Sequence, residues 1–160
     1  MRPKKRIIVP MMKKEFYKNG LKFECQGSGK CCTSHGEYGF VFLTKADRQR
    51  MAKHLGIPTR EFTKDYCEKT QGFFHLREDL GNPDCLFLKK KRCSIYAARP
   101  TQCRTWPFWP EVLNAKTWSK EVASFCPGVG KGKLHSPENI EKTAFEQQDS
   151  EDILRREARQ

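Results

Sequence analysis

The chain has 160 residues, 31 Lys and Arg against 19 Asp and Glu, a formal net charge of +12, and only 37% hydrophobic residues. A mean hydropathy of −0.79 leaves room for one thin-cored domain with a terminal extension, of the kind that needs a disulfide or metal staple. No stretch approaches the roughly 20 apolar residues of a membrane span, and charge of this sign fits nucleic acid, an anionic surface or an acidic protein without choosing among them.

The charge is unevenly spread. From Lys133 onward five basic and seven acidic residues give −2, which leaves +14 on residues 1–132. The first 22 residues form a basic arm. Its opening, MRPKKRIIVPMMKKEFYKNG, has an apolar run broken by Pro10 and followed by Lys13 and Lys14. That run is too short for a secretory signal core and lacks a small-residue cleavage site. The expectation is a cytoplasmic protein without a membrane association, whose thiols stay reduced.

Residues 25–32, CQGSGKCC, place three of the eight cysteines in eight positions, two of them adjacent. Residues 39–43 then read as a short strand. Thr44 with Asp47 three residues on has the arrangement of a capping box. A short helix follows, with Met51 and Leu55 on one face and Gly56 and Pro58 at its end. Thr59 is suited to cap a second helix carrying Phe62 and Tyr66, with Cys67 at its end. From Cys85, the sequence CLFLKKKRC predicts two short strands around a Lys-rich turn. Three prolines between 100 and 110 argue against a long regular element there. After CPGVGKG (126–132), Ser136 fits an N-cap and Pro137 the first helical position. The apolar residues Ile140, Ala144, Ile153, Leu154 and Ala158 form an interrupted stripe, as of a packed cap on the domain or a partly frayed helix.

The eight cysteines stand at 25, 31, 32, 67, 85, 93, 103 and 126, and no C-x-x-C occurs among them. That spacing excludes the usual zinc knuckle, the thioredoxin-type redox pair and the bacterial ferredoxin run. Metal ligands must therefore come from separate loops. Turn residues flank three of the cysteine segments: GSGK before Cys31, GNPD before Cys85, PGVG after Cys126. Glycine permits close backbone approach to a metal and lets amides donate to coordinated sulfur. Adjacent Cys31 and Cys32 could form a strained vicinal disulfide or bind one ion awkwardly together. The reading favoured is one thiolate on a metal, with its neighbour on a second metal or turned away. Zinc and an iron–sulfur cluster both accept four thiolates, so the cofactor stays one or the other.

The cysteine cluster at 25–32, the LTKADRQRMAKHLGI helix, CLFL at 85–88, CSIYAARPTQCRTWPF from Cys93 to Phe108 and CPGVGKG from Cys126 together resemble the YkgJ-like cysteine-cluster family, a zinc- or iron-chelating domain. The resemblance runs over about residues 23–132. It implies Cys25, Cys31, Cys32, Cys85, Cys93, Cys103 and Cys126 as metal ligands and marks Arg99, Pro100 and Arg104 as motif positions. The family's C-x-x-C-x-x-C-C motif has Ser28 here in place of its second cysteine, and Cys67 is the candidate to supply an eighth ligand from elsewhere.

Arg99 and Arg104 bracket Cys103, where they can offset thiolate charge and hydrogen-bond sulfur, or simply bond loop carbonyls. His35 could replace a missing thiolate or be a solvated loop residue, whereas His54, His75 and His135 stand in no ligand pattern. Trp106, Phe108, Trp109 and Trp118 could stack on single-stranded nucleic acid, but in a thin-cored domain they read first as core. KKKR at 89–92 and RPKKR at 2–6 could meet phosphates or be solvated charge. No nucleophile–base–acid set and no phosphate-binding loop is present, which leaves redox chemistry at a cluster as the open enzymatic route.

The expectation is a small, irregular, metal-stapled α+β fold with short helices, few short strands and long loops. Its divisions are a basic arm (1–22), a cysteine-cluster metal-binding domain (23–132) and a helical tail (133–160). Three functions fit: a zinc or iron–sulfur module with a protein partner for its basic face, an iron–sulfur redox protein or accessory to a modification enzyme, and a nucleic-acid-associated protein with structural metal.

Overall fold

A computed structural model describes residues 14–33 and 39–160; His35, RPKKR at 2–6 and most of the basic arm lie outside the described residues. In chain order the elements are α1 (Lys14–Tyr17), β1 (Leu21–Phe23), α2 (Lys45–Leu55), α3 (Thr59–Tyr66), β2 (Cys67–Thr70), β3 (Phe73–Leu76), β4 (Leu88–Lys89), β5 (Arg92–Cys93), α4 (Thr101–Thr105), α5 (Ala115–Thr117), β6 (Val129–His135) and α6 (Pro137–Glu157). Short 3₁₀ turns at Lys30–Cys32, Tyr96–Ala98 and Pro110–Val112, and a π-helical turn at Trp118–Ala123, fill several connections. The strands form three two-stranded antiparallel sheets, β1–β6, β2–β3 and β4–β5. This is the small α+β fold expected, with no closed sheet among the described residues. No helix among them is long and apolar enough to cross a membrane.

By contact the chain divides into two compact units, each built from two stretches: Met1–Gln26 with Thr105–Gln148, and Gly27–Arg104 with Asp149–Gln160. In the first unit Tyr17, Phe108, Val112, Leu113, Trp118, Val122, Ile140 and Ala144 form the buried core, with Trp106 and Trp109 packed against it. Phe108 and Trp118 stack at 6.2 Å, and Trp106 meets Trp109 edge-on at 4.8 Å. The aromatic run is thus core. In the β1–β6 pair, Lys22 faces Leu134 but Phe23 faces Val129. The intervening residues 130–133 bulge out, with Gly130 and Gly132 in the left-handed region. A side chain at Gly132 would collide with Glu24.

The second unit packs α2 and α3 on a core of Val41, Leu43, Met51, Ala52, Phe62, Cys67, Leu76, Phe87 and Ile95. The capping box is present, with the Asp47 N–H donating to Thr44 Oγ1 (3.0 Å) and the Thr44 N–H to Asp47 Oδ2 (3.1 Å). Gly56, left-handed at φ 70°, closes α2 as the C-cap. At α3 the cap is Pro58, extended at ψ 145°, and Thr59 is the first helical residue instead of its cap. The strand expected at 39–43 is reduced to one bridge, Phe42 to His75. Its neighbours do bond β3, Leu43 N–H to Phe74 O and Val41 O from Leu76 N–H, both 2.9 Å. The Phe42 N–H points to the opposite edge, where it donates to Gln102 Oε1 (3.0 Å) and Gln102 Nε2 donates to the Phe40 carbonyl (3.2 Å), so a side chain and not a further strand occupies that edge.

The stripe on α6 is interrupted only in polarity. Ile140, Ala144, Gln147, Ser150 and Leu154 are all buried at helical spacing. Gln147 Oε1 accepts from Thr105 Oγ1 at 2.8 Å, which satisfies a polar group where the sequence shows a gap.

Asp47 is 1% exposed and does more than cap α2. Its Oδ1 accepts from the N–H and hydroxyl of Thr101, both at 2.9 Å, and from Arg50 Nη2 at 2.6 Å. Arg50 Nη2 also donates to the Arg99 carbonyl at 2.9 Å. One carboxylate thereby fastens the 99–101 segment to α2. Asp47→Ala leaves these donors buried without an acceptor and is expected to cost about 3 kcal/mol, read as a lowered denaturant midpoint. Asp47→Asn, which keeps part of the network, should fall between the two.

Candidate metal centre

The centre is assembled by three stretches of the second unit. The first is the 3₁₀ turn Lys30–Cys32, entered through Gly29 at φ 70°. A Cβ on Gly29 would stand 2.7 Å from the Lys91 carbonyl and 2.9 Å from Leu88 Cδ1. Only glycine allows this turn to lie against the β4–β5 hairpin. The second stretch is Cys85 and that hairpin, whose two central residues Lys90 and Lys91 have φ of 51° and 63°. Left-handed backbone at both positions is the geometry of a two-residue hairpin turn that favours Asn-Gly, and a side chain there costs about 1–2 kcal/mol per residue. The third stretch carries Cys103 in α4. A backbone bond locks the first two together, Cys85 N–H to Cys32 O at 2.6 Å, and Ser94 N–H to Phe87 O at 2.8 Å extends the hairpin itself.

Four sulfurs meet in this frame. The thiol of Cys32 is hydrogen-bonded to those of Cys31, Cys85 and Cys93. Both members of the double cysteine therefore face the same cluster, and neither is turned away as the sequence allowed. The hydrogen bond to Cys32 is the main cause that lowers its three neighbours, Cys31 to about 7, Cys93 to about 6, and Cys85 below the usual thiol range. Burial opposes it at all three. Backbone N–H groups help, that of Phe87 at Cys85 and that of Ile95 at Cys93, each two residues beyond its cysteine. The Arg99 guanidinium adds its charge at Cys31 and Cys93. Cys32 moves the other way, held protonated by the three sulfurs around it. Cys103 is crowded by surrounding atoms, which raises its thiol, and the charges of Cys85, Cys31 and Cys93 add to that.

Arg99 is held in place by its own contacts. Its Nε donates to the Tyr96 carbonyl at 3.0 Å, and its guanidinium lies 3.7 Å over the Tyr96 ring. Arg104 sits on the far side of Cys103 in sequence, and its Nη2 reaches Thr101 Oγ1 at 3.5 Å.

The remaining candidates fall elsewhere. Cys67 is 5% exposed in the apolar core of the second unit. Burial raises its thiol to about 11, and the charges acting on it are those of Arg48 and Arg77. Ser28, at the motif's missing cysteine, accepts the Lys30 N–H at 3.4 Å and shapes the turn before Cys31. Cys25 and Cys126 belong to the first unit. There the Glu24 N–H donates to Gly128 O at 3.1 Å, and the Cys126 carbonyl accepts from Val129 at 3.3 Å, so the two cysteines occupy neighbouring segments. His75 is a core residue, with Nε2 2.8 Å from Thr70 Oγ1 and Nδ1 2.9 Å from Leu76 O.

The donor set of the second unit suits a soft or borderline metal. Four thiols from two stretches of chain are the complement of a structural zinc ion or an iron–sulfur cluster, whereas calcium and magnesium want oxygen. Among the described residues no three His, Cys, Asp or Glu side chains ring an open point ready for an ion. Sequence reasoning missed Tyr96 and the two amides of Phe87 and Ile95, whereas Gly29 lies in the GSGK turn it singled out for close backbone approach. The signal for the amides was the repeated placement of an apolar residue two positions after a cysteine, in CLF and CSI.

The family model for CxxCxxCC, described as "Putative zinc- or iron-chelating domain", matches residues 24–127. The "Uncharacterized protein MJ0661" of Methanocaldococcus jannaschii is 32% identical over 130 residues, 77% of this chain and 68% of that protein. No solved structure matches the chain. With a family model spanning about two thirds of its length, a relative aligned over most of both chains, and cysteines gathered as that description requires, the chain belongs to the CxxCxxCC family of zinc- or iron-chelating cysteine-cluster domains.

Proposed function

We propose that the chain is a metal-binding module in which Cys31, Cys32, Cys85 and Cys93 hold zinc or an iron–sulfur cluster, with Cys103 beside them and Arg99 offsetting their charge. The observation that carries this reading is the convergence of three thiols, those of Cys31, Cys85 and Cys93, on Cys32, the four coming from two separate stretches. Three of them favour the thiolate, and three like charges at one point call for a cation. Cys25 and Cys126 form the family's remaining cysteine pair, in a body that runs from residue 23 to 132 between the basic arm and the helical tail. Cys67 serves the apolar core. When bound, the metal supplies a cross-link between loops and, if it is an iron–sulfur cluster, a site for one electron. The chain's own residues contribute the sulfur donors, the Phe87 and Ile95 amides aimed at two of them, and the Arg99 charge.

Metal and acid-labile sulfide analysis of protein purified without oxygen tests the reading. Zinc without sulfide is the expectation for a structural module. Iron with sulfide and a broad absorption band would make electron transfer the function of the same thiols. A metal-free protein that takes up neither would overturn the proposal.

The cysteines should separate in two further measurements. Cys93→Ala is expected to remove at least half of the bound metal, as is Cys32→Ala. Cys67→Ala should keep the metal and lose about 1 kcal/mol of stability through a smaller core side chain. In metal-free protein at pH 7, a thiol at about 6 is about 90% thiolate and one at about 11 only about 0.01%. Iodoacetamide should therefore label Cys93 and then Cys31 well before Cys67, and metal should protect the first two.

A further inference from the structure

The β4–β5 hairpin presents Lys89, Lys90, Lys91 and Arg92 in succession, all exposed, with exposed Lys30 on the adjoining turn. None of the five makes an ion pair with a described residue. The two at the tip sit in left-handed backbone, where Asn-Gly would be unstrained. A turn that needed only to reverse the chain would not keep two lysines there, whereas one that needs their charge at its tip would. Nor does the tip hang free. Its Lys91 carbonyl packs against Gly29, and β5 ends in Cys93, so the cations are fixed to the thiol cluster. Tyr96, three residues after Cys93, is 49% exposed and carries the Arg99 guanidinium on its ring.

From these observations we infer that the hairpin, with Lys30 and Tyr96, is a contact site for single-stranded nucleic acid. A ribbon of cations, none ion-paired to a described residue, tracks a phosphate backbone, and an exposed aromatic ring beside an arginine offers a base a stacking surface that needs no particular sequence. An acidic protein would use the cations but not the ring, and a duplex keeps its bases stacked out of the ring's reach. The contact needs the folded hairpin and does not depend on which metal the thiols hold.

Binding of fluorescein-labelled oligo(U) to the metal-loaded protein, followed by anisotropy over a salt series, tests the inference. Affinity should fall linearly with salt on logarithmic axes. Lys90→Asn with Lys91→Gly removes two cations while supplying the residues the turn prefers. The thermal midpoint should hold or rise and the metal content stay constant, while the salt slope becomes shallower by about 1.4, at about 0.7 per phosphate contact on single strands. Lys30→Gln, which leaves the turn untouched, should reduce the slope by about 0.7. Tyr96→Ala should weaken binding at every salt concentration without changing the slope. Unchanged slopes in both lysine variants would overturn the site. Equal affinity for labelled polyglutamate of the same charge, indifferent to Tyr96→Ala, would also overturn it and identify an acidic protein surface.

Discussion

Sulfur atoms that tend to ionise repel one another, and this protein gathers three of them around Cys32. Everything nearby addresses that repulsion. One proton stays on Cys32, where it can be shared with each neighbour. Amides of Phe87 and Ile95 face Cys85 and Cys93, and the Arg99 guanidinium supplies a full positive charge. These groups temper the cluster but do not neutralise it. A bound metal ion would do so far more completely. The local chemistry and the family's description as a chelator therefore lead to the same place by separate routes.

The frame that holds the sulfurs is not itself made of metal bonds. Cys85 is tied to Cys32 through the backbone, and Gly29 lets the double-cysteine turn rest on the hairpin. Asp47 fixes the Arg99–Thr101 region from α2 through Thr101 and Arg50. The core of the second unit then takes in Phe87 and Ile95, each two residues from a cysteine of the cluster, together with Met51 and Phe62. Apolar anchors at those positions convert hydrophobic burial into the placement of sulfur. The thinness of the core that composition implied is offset in this way, because a few buried residues act directly on the centre.

Local rules were legible in the sequence. The capping box at Thr44 and Asp47, the Gly56 stop, the Lys-rich hairpin and the Ser136 start of α6 each depend on residues within a few positions of one another. The aromatic run from Trp106 to Trp118 was recognisable as core because a chain this polar has few other residues to bury. What failed to show was set at long range. The outer edge of the segment expected as a strand at 39–43 is bonded by the Gln102 amide, 60 residues from Phe42, where no short-range pattern points to it. Cys67 looks like any other cysteine until the fold puts it in an apolar core. Likewise, the gap in the α6 stripe closes only when Thr105 satisfies Gln147.

Charge links the centre to the surface. Even with a dication, four thiolates leave a net charge of −2 at the site, and one nearby arginine cancels half of it. Lys89 to Arg92 and Lys30 surround this region with five more positive charges, more than the centre requires. Arg99 is the cation whose charge bears on Cys31, Cys93 and Cys103, whereas the side chains of these five are exposed. Screening by solvent is strong at an exposed hairpin tip, so a lysine there does little for a cluster behind it. Its field is directed outward, toward whatever anion the solvent brings. The strained backbone under Lys90 and Lys91 is then explained by binding at the surface, and the cysteine cluster by binding beneath it, with Gly29 as the residue that holds the two together.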